Sequence, residues 1–150
     1  MKWVALVTWV LTAGGGFAML GLWLKHGGMR QSDMPGDRIR TARIFSHFAL
    51  AATGLVIWIV YLASDSEALA WIAFALLAVV ALLGFSMLAV WLRQRARGPG
   101  LAAAGPTPGV VADGSAAEQH FPTPIVAAHG LLAATTLILV LLVAAGVGGS

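Results

Sequence analysis

Residues 123–145 constrain this chain more than any other stretch, because they hold no charged residue and a single histidine, His129. A helix of this length crosses the hydrocarbon core of a bilayer, which requires roughly 20 apolar residues. The whole chain is 59% hydrophobic and only 10% charged, whereas soluble domains carry about 25% charged residues. The sequence therefore predicts an integral membrane protein surrounded by a lipid bilayer.

Four stretches of this kind predict an all-α fold, a single transmembrane four-helix bundle. The predicted helices are residues 3–24, 42–63, 68–92 and 124–145. The first is too long for the apolar core of a signal peptide, so we expect it to be retained. Alternating spans favour an antiparallel up-down bundle with both termini on one side. Residues 98–119 are rich in Gly, Pro and Ala and predict a flexible loop.

Positive charge is concentrated on one side of this topology. Every Lys and Arg except Lys2 lies in the connections 25–41 and 93–119 or at the start of the second helix. By the positive-inside rule these connections are cytoplasmic and both termini are outside. We expect this arrangement in the inner membrane of a bacterium. The pI of about 10.2 then reflects membrane topology, so no nucleic-acid partner is expected.

Several kinds of chemistry are excluded by what the chain lacks. It has no cysteine, which rules out disulfides, thiol catalysis, iron–sulfur clusters and Cys-ligated zinc. Its acidic residues all lie in connections, so no intramembrane carboxylate is available for ion transport. No serine–histidine–acid arrangement, phosphate-binding loop or HExxH motif is present. We expect no hydrolase or transferase. We also expect no internal repeat, because the two helical hairpins show no shared motif.

The histidines carry the clearest functional pattern. His47 and His129 each lie about five residues inside a helix that starts on the basic side, so their imidazoles share one depth. A titratable ring at that depth needs a partner. Two histidines at one depth on different helices suit bis-imidazole ligation of a b-type haem. The sequence therefore predicts one haem near the cytoplasmic side, with these two residues as axial ligands.

A haem also needs small residues beside its ring and cations near its propionates. Gly54 lies two turns deeper than His47, and Gly130 directly follows His129. The glycines at 14–16 allow a neighbouring helix or a flat ligand to approach closely. Cations at the right depth to pair with the propionates are Arg40, Arg43, Lys25 and Arg93.

Other interpretations of the same residues stay open. The histidines can form interhelical hydrogen bonds with each other or with nearby hydroxyls, the candidates being Ser46, Ser86 and Thr136. Met19 and Met87 share the depth of the histidines, and a His–Met set suits Cu(I) or offers an alternative axial ligand to haem iron. His26 and His120 lie at the membrane–water interface. Three roles are open to them: they are solvated, they hold a surface metal, or they contact the haem propionates.

The four spans with His47 and His129 resemble small bacterial four-helix cytochrome b proteins, such as cytochrome b561-like proteins and succinate dehydrogenase anchor subunits. The resemblance implies electron transfer on one face of the membrane, with a quinone or other subunits of a respiratory or redox complex as partners. One histidine pair, where cytochrome b561-like proteins usually have two, implies at most an electron-transfer subunit. A second hypothesis, from another class, is a non-catalytic accessory or assembly subunit of a larger membrane complex.

Overall fold

The computed structural model describes residues 1–31, 38–101 and 116–147, and this part of the chain is almost entirely helical. The long helices are α1 (Lys2–Lys25), α3 (Thr41–Ser64), α4 (Glu67–Leu101) and α5 (Thr123–Ala144). Between them lie the single turn α2 (Gly28–Gln31) and a 3-10 helix (Ala117–His120). All four long helices are long and apolar enough to cross a membrane. The predicted all-α, four-span fold is confirmed.

The predicted end of the third span at Leu92 was wrong, because α4 continues to Leu101. Residues 93–97, which directly follow Leu92, are all Arg, Gln or Ala. These residues favour a helix about as strongly as Leu does, so propensity accounts for the helix as far as residue 97. Polarity therefore ends the apolar segment without ending the helix. The predicted loop 98–119 is likewise wrong at both edges, which are helical, and its middle, residues 102–115, lies outside the described residues.

The four long helices form a square in which each packs against two neighbours. α3 packs mainly against α4 and α1 mainly against α5, and contacts between α1 and α3 and between α4 and α5 close the ring. Consequently α3 faces α5 across the bundle axis, and α1 faces α4. We call the end of the bundle where α1 and α4 stop and α3 and α5 start the basic end.

At the opposite end, the start of α1 meets the tight turn between α3 and α4. Lys2 forms a salt bridge with Asp65 of this turn, whose backbone is left-handed (φ 50°). The hydrophobic core lies in this half of the bundle and consists of Ala5, Trp9, Trp58, Ala70, Ala73, Leu77, Val140 and Ala144. Alanines allow the helices to approach each other closely in this core. The indole rings of Trp9 and Trp58 pack against each other there, with ring centroids 6.4 Å apart. Large apolar side chains on the outer faces are exposed, as expected where lipid is the solvent.

The expectation that the chain has no internal repeat was wrong. α3 and α5 both contain the pattern HxxLAATxL, starting at His47 and at His129. α1 and α4 share the pattern AxxGFxMLxxWL followed by Lys or Arg, starting at Ala13 and at Ala81. The repeat unit is a helical hairpin, α1 with α3 in the first half and α4 with α5 in the second. A single alignment does not show the repeat, because the connection between the two motifs is longer in the second hairpin.

The structure bears out this correspondence of the two hairpins in its local geometry. Arg40 and Pro122, the residues before α3 and α5, have matching extended backbones, with φ and ψ of −68° and 140° and of −64° and 127°. The hydroxyls of Thr53 and Thr135 donate to equivalent carbonyls one turn earlier, both at 2.9 Å. Because α1 corresponds to α4 and α3 to α5, the square arrangement relates the two halves by a pseudo-two-fold axis along the bundle.

Candidate functional site

His47 and His129 meet on this pseudo-two-fold axis, in the half of the bundle nearer the basic end. Their ring centroids lie 6.4 Å apart, and the ring planes are inclined by 52°. Both side chains are half-buried. The structure therefore brings together the two histidines that the sequence singled out, from helices that face each other across the bundle.

His129 is held against α1 by a backbone hydrogen bond. Its Nδ1 lies 2.9 Å from the carbonyl oxygen of Thr12. A carbonyl oxygen only accepts, so Nδ1 carries the proton and donates. The ring packs flat on glycine backbone: a Cβ atom added to Gly16 would lie 3.3 Å from His129 Cε1, and one added to Gly15 would lie 3.4 Å from Nδ1.

His47 is held against α4 in the same way. Its Nδ1 donates to the carbonyl oxygen of Val80 at 3.1 Å. A Cβ atom added to Gly84 would lie 3.4 Å from His47 Cε1. The repeat pairs Gly84 with Gly16, so each hairpin carries the glycine on its first helix and the histidine on its second, and each histidine uses the glycine of the other hairpin.

A glycine four residues after the accepting carbonyl explains both contacts. In an α-helix the carbonyls of Thr12 and Val80 already accept the N–H groups of Gly16 and Gly84. A carbonyl oxygen has a second lone pair, and the missing Cβ of the glycine leaves it open to a side chain from the neighbouring helix. The glycines at 14–16 were noticed in the sequence as a place of close approach. Gly84 was missed, although the repeated AxxGF pattern points to it.

These bonds leave the same atom available on both rings. A neutral imidazole with its proton on Nδ1 carries a lone pair on Nε2. Within the described part of the chain, neither Nε2 of His47 nor Nε2 of His129 has a hydrogen-bond partner. Histidines that bind metals usually donate their other ring N–H to a carbonyl or carboxylate in this manner. Each of the two rings therefore has a lone pair on Nε2 that can bind a metal ion inside the bundle.

Of the three hydroxyls that the sequence offered as partners, two bond elsewhere, and the third, that of Ser46, belongs to an exposed residue. Ser86 donates to the Leu83 carbonyl at 2.7 Å, and Thr136 donates to the Leu132 carbonyl at 2.8 Å. Both bonds lie within the helix of the hydroxyl itself. The hydrogen bonds of the histidines go instead to backbone carbonyls, which no pattern of side chains reveals.

The other predicted site residues lie in the core, on the surface of the bundle or closer to the basic end. Gly54 packs in the core, where an added Cβ would lie 3.1 Å from the ring of Trp9, and an added Cβ at Gly130 would meet no atom within 4 Å. Arg40 is exposed and Arg43 half-buried at the start of α3. Met19 and Met87 are half-buried, one turn closer to the basic end than Gly16 and Gly84, and occupy equivalent positions of the repeat.

A second polar cluster lies at the basic end itself. The rings of His26 and His120 stack with centroids 3.9 Å apart and planes inclined by 10°. Nearby, the carboxylate of Glu118 is buried and accepts hydrogen bonds from the backbone N–H of Ile39 and from Gln94 Nε2, both at 2.8 Å. This cluster joins the end of α1 and α4 to the segments that lead into α3 and α5.

Comparison of the chain with protein-family models, with curated proteins and with solved structures finds no match.

Proposed function

We propose that the chain binds one b-type haem in the basic half of the bundle and serves as an electron-transfer subunit. Nε2 of His47 and Nε2 of His129 are the axial ligands in this proposal. The observation that carries it is a pair of imidazoles from facing helices, each fixed by its Nδ1–H, with no protein partner for either Nε2 in the described residues.

The spacing of the rings supports bis-imidazole ligation. Metal–nitrogen bonds of about 2 Å on each side, and about 1 Å from each nitrogen to its ring centre, place the centroids about 6 Å apart. The observed separation is 6.4 Å. The backbone hydrogen bonds fix each ring orientation and make each Nε2 more basic, which strengthens it as a ligand.

The number of protein ligands also agrees with a haem. Among the described residues, no group of three or more His, Asp or Glu side chains could hold a metal ion. A porphyrin supplies four nitrogens, which together with these two imidazoles complete the six ligands of a haem iron. When bound, a haem supplies one-electron chemistry. The exposed Arg40 and the half-buried Arg43 are suitable partners for its propionates at the basic end.

The position of the pair bears on the path of the electron. All four histidines of the chain lie in the basic half, and the opposite half is filled by the hydrophobic core. Electrons would therefore enter and leave on the basic side, from a quinone or another subunit of a redox complex, and this chain alone would not carry them across the membrane.

The second candidate function is a non-catalytic accessory subunit of a larger membrane complex. It is favoured by the same hydrogen bonds, since His47 ties α3 to α4 and His129 ties α5 to α1. Such interhelical bonds stabilise a bundle by about 1 kcal/mol each, and no cofactor is needed to account for them.

Absorption spectroscopy separates these functions. The protein is purified from cells supplied with a haem precursor, and its spectrum is recorded oxidised and then reduced with dithionite. We expect the sharp α-band of a low-spin b-type haem and one haem per chain by the pyridine haemochrome assay. A colourless, monodisperse protein that co-purifies with partner subunits would favour the accessory function, and copper found by elemental analysis would favour a site completed by Met19 and Met87.

We also propose that the basic end faces the cytoplasm, because the positive-inside rule places Lys- and Arg-rich connections there. The chain has no cysteine, so single cysteines report position without background. Ser32→Cys and Ser115→Cys should resist a membrane-impermeant maleimide in intact cells and react after lysis. A cysteine added after Ser150 should react in intact cells, and the opposite pattern would reverse the orientation.

A further inference from the structure

We propose that His26 and His120 form a binding site for one divalent transition-metal cation, such as Zn²⁺, at the basic end of the bundle. This site is separate from the intramembrane pair, and the proposal does not depend on haem binding. It rests on three observations: the close approach of the two rings, the hydrogen bond of His26, and the difference between the two halves of the repeat.

The two imidazoles lie close together, and each has a nitrogen available for a metal ion. Nδ1 of His26 donates to the carbonyl of Leu22 at 2.8 Å, which leaves the lone pair on Nε2. His120 is exposed and makes no hydrogen bond to any described residue. The ring centroids lie 3.9 Å apart, so both rings are within reach of one ion. Because lone pairs in nearly parallel planes do not converge, the exposed His120 ring must turn out of the stack for one nitrogen of each ring to bind that ion. Imidazole is a preferred ligand of zinc, copper and nickel.

The duplication indicates that this pair is not required by the fold. By the alignment of the two hairpins, His26 corresponds to Gln94 and His120 corresponds to Arg38. The other half of the bundle thus builds the same junction between helix end and helix start without histidine. A pair of histidines placed together in one half only is a specialisation of that half.

The local charge permits a cation despite the basic surroundings. Glu118, two residues before His120, is the one carboxylate at this end among the described residues, and it is only 2% exposed. Its negative charge offsets part of the repulsion from Lys25 and Arg30. With only two protein ligands, water must complete the coordination, so the site is open and exchangeable, unlike a closed structural zinc site.

Zinc titration of the full-length protein tests the proposal. The protein is purified with a removable tag that contains no histidine, and ZnCl₂ is added in detergent solution under isothermal titration calorimetry. We expect one saturable zinc step per chain. His26→Phe and His120→Phe each keep an aromatic ring in the stack and remove the ligand, so both should lose this step while remaining monodisperse and helical by circular dichroism.

A His47→Ala, His129→Ala double variant locates the bound zinc. This variant should keep the full step, because the intramembrane pair is not part of the site. The proposal is overturned if the wild-type protein shows no saturable step or if either Phe variant binds zinc as the wild type does. It is equally overturned if the double variant loses the step, since zinc would then bind at the intramembrane histidines.

Discussion

Replacing His47 or His129 with alanine should abolish the low-spin haem spectrum, the largest functional effect that the structure predicts. Each substitution removes one of the two proposed axial ligands, so any haem that remains would be five-coordinate and high-spin. The two histidines occupy equivalent positions of the repeat, and each donates Nδ1–H to an equivalent carbonyl. We therefore expect losses of similar size from the two variants, measured as reduced-minus-oxidised absorbance and haem content per chain.

Imidazole rescue distinguishes a lost ligand from a misfolded bundle. Alanine leaves a space beside Gly16 or Gly84 where free imidazole fits, so added imidazole should restore a low-spin spectrum in either single variant. His26→Gln, which installs the residue found at the equivalent position of the repeat, should leave the spectrum unchanged. A wild-type haem spectrum that survives both alanine substitutions would rule out these residues as ligands.

Gly28→Ala should cause the largest loss of stability among the substitutions we predict. Gly28 starts α2, and an added Cβ would overlap the indole ring of Trp23. Trp23 is 1% exposed, so its ring has no open space into which to move. Overpacking of a well-packed interior destabilises by about 1–3 kcal/mol. We expect a clear fall in the midpoint of thermal unfolding, followed by circular dichroism in detergent.

Gly14→Ala is the matched control, because it adds the same methyl group where nothing lies within 4 Å. Gly14 is an exposed residue inside α1, and alanine favours a helix over glycine by about 1 kcal/mol. This variant should unfold at the wild-type midpoint or slightly above it. Equal midpoints for the two variants would contradict the close packing of Gly28 against Trp23.

The sequence alone determined the fold class and the main elements of this protein. Apolar stretches of membrane-spanning length predicted every helix end within a few residues except the C-terminal end of α4. This helix continues past Leu92, because residues 93–97 end the apolar pattern without lowering helix propensity. The repeat is also present in the sequence. A single alignment does not show it, because the number of residues between the two motifs of a hairpin differs between the two halves.

Only the tertiary structure decided how the histidines are used. The depth of a residue in the membrane follows from its position along the helix, and this position places His47 and His129 at the same depth. The partners of their rings are backbone carbonyls, which every residue has, so no side-chain pattern distinguishes Thr12 or Val80 as acceptors. Which carbonyl has an open lone pair depends on the helix that packs beside it and on a glycine one turn further along. The pairing of α1 with α5 and of α3 with α4 therefore fixed the tautomer of both imidazoles and left a lone pair on each Nε2.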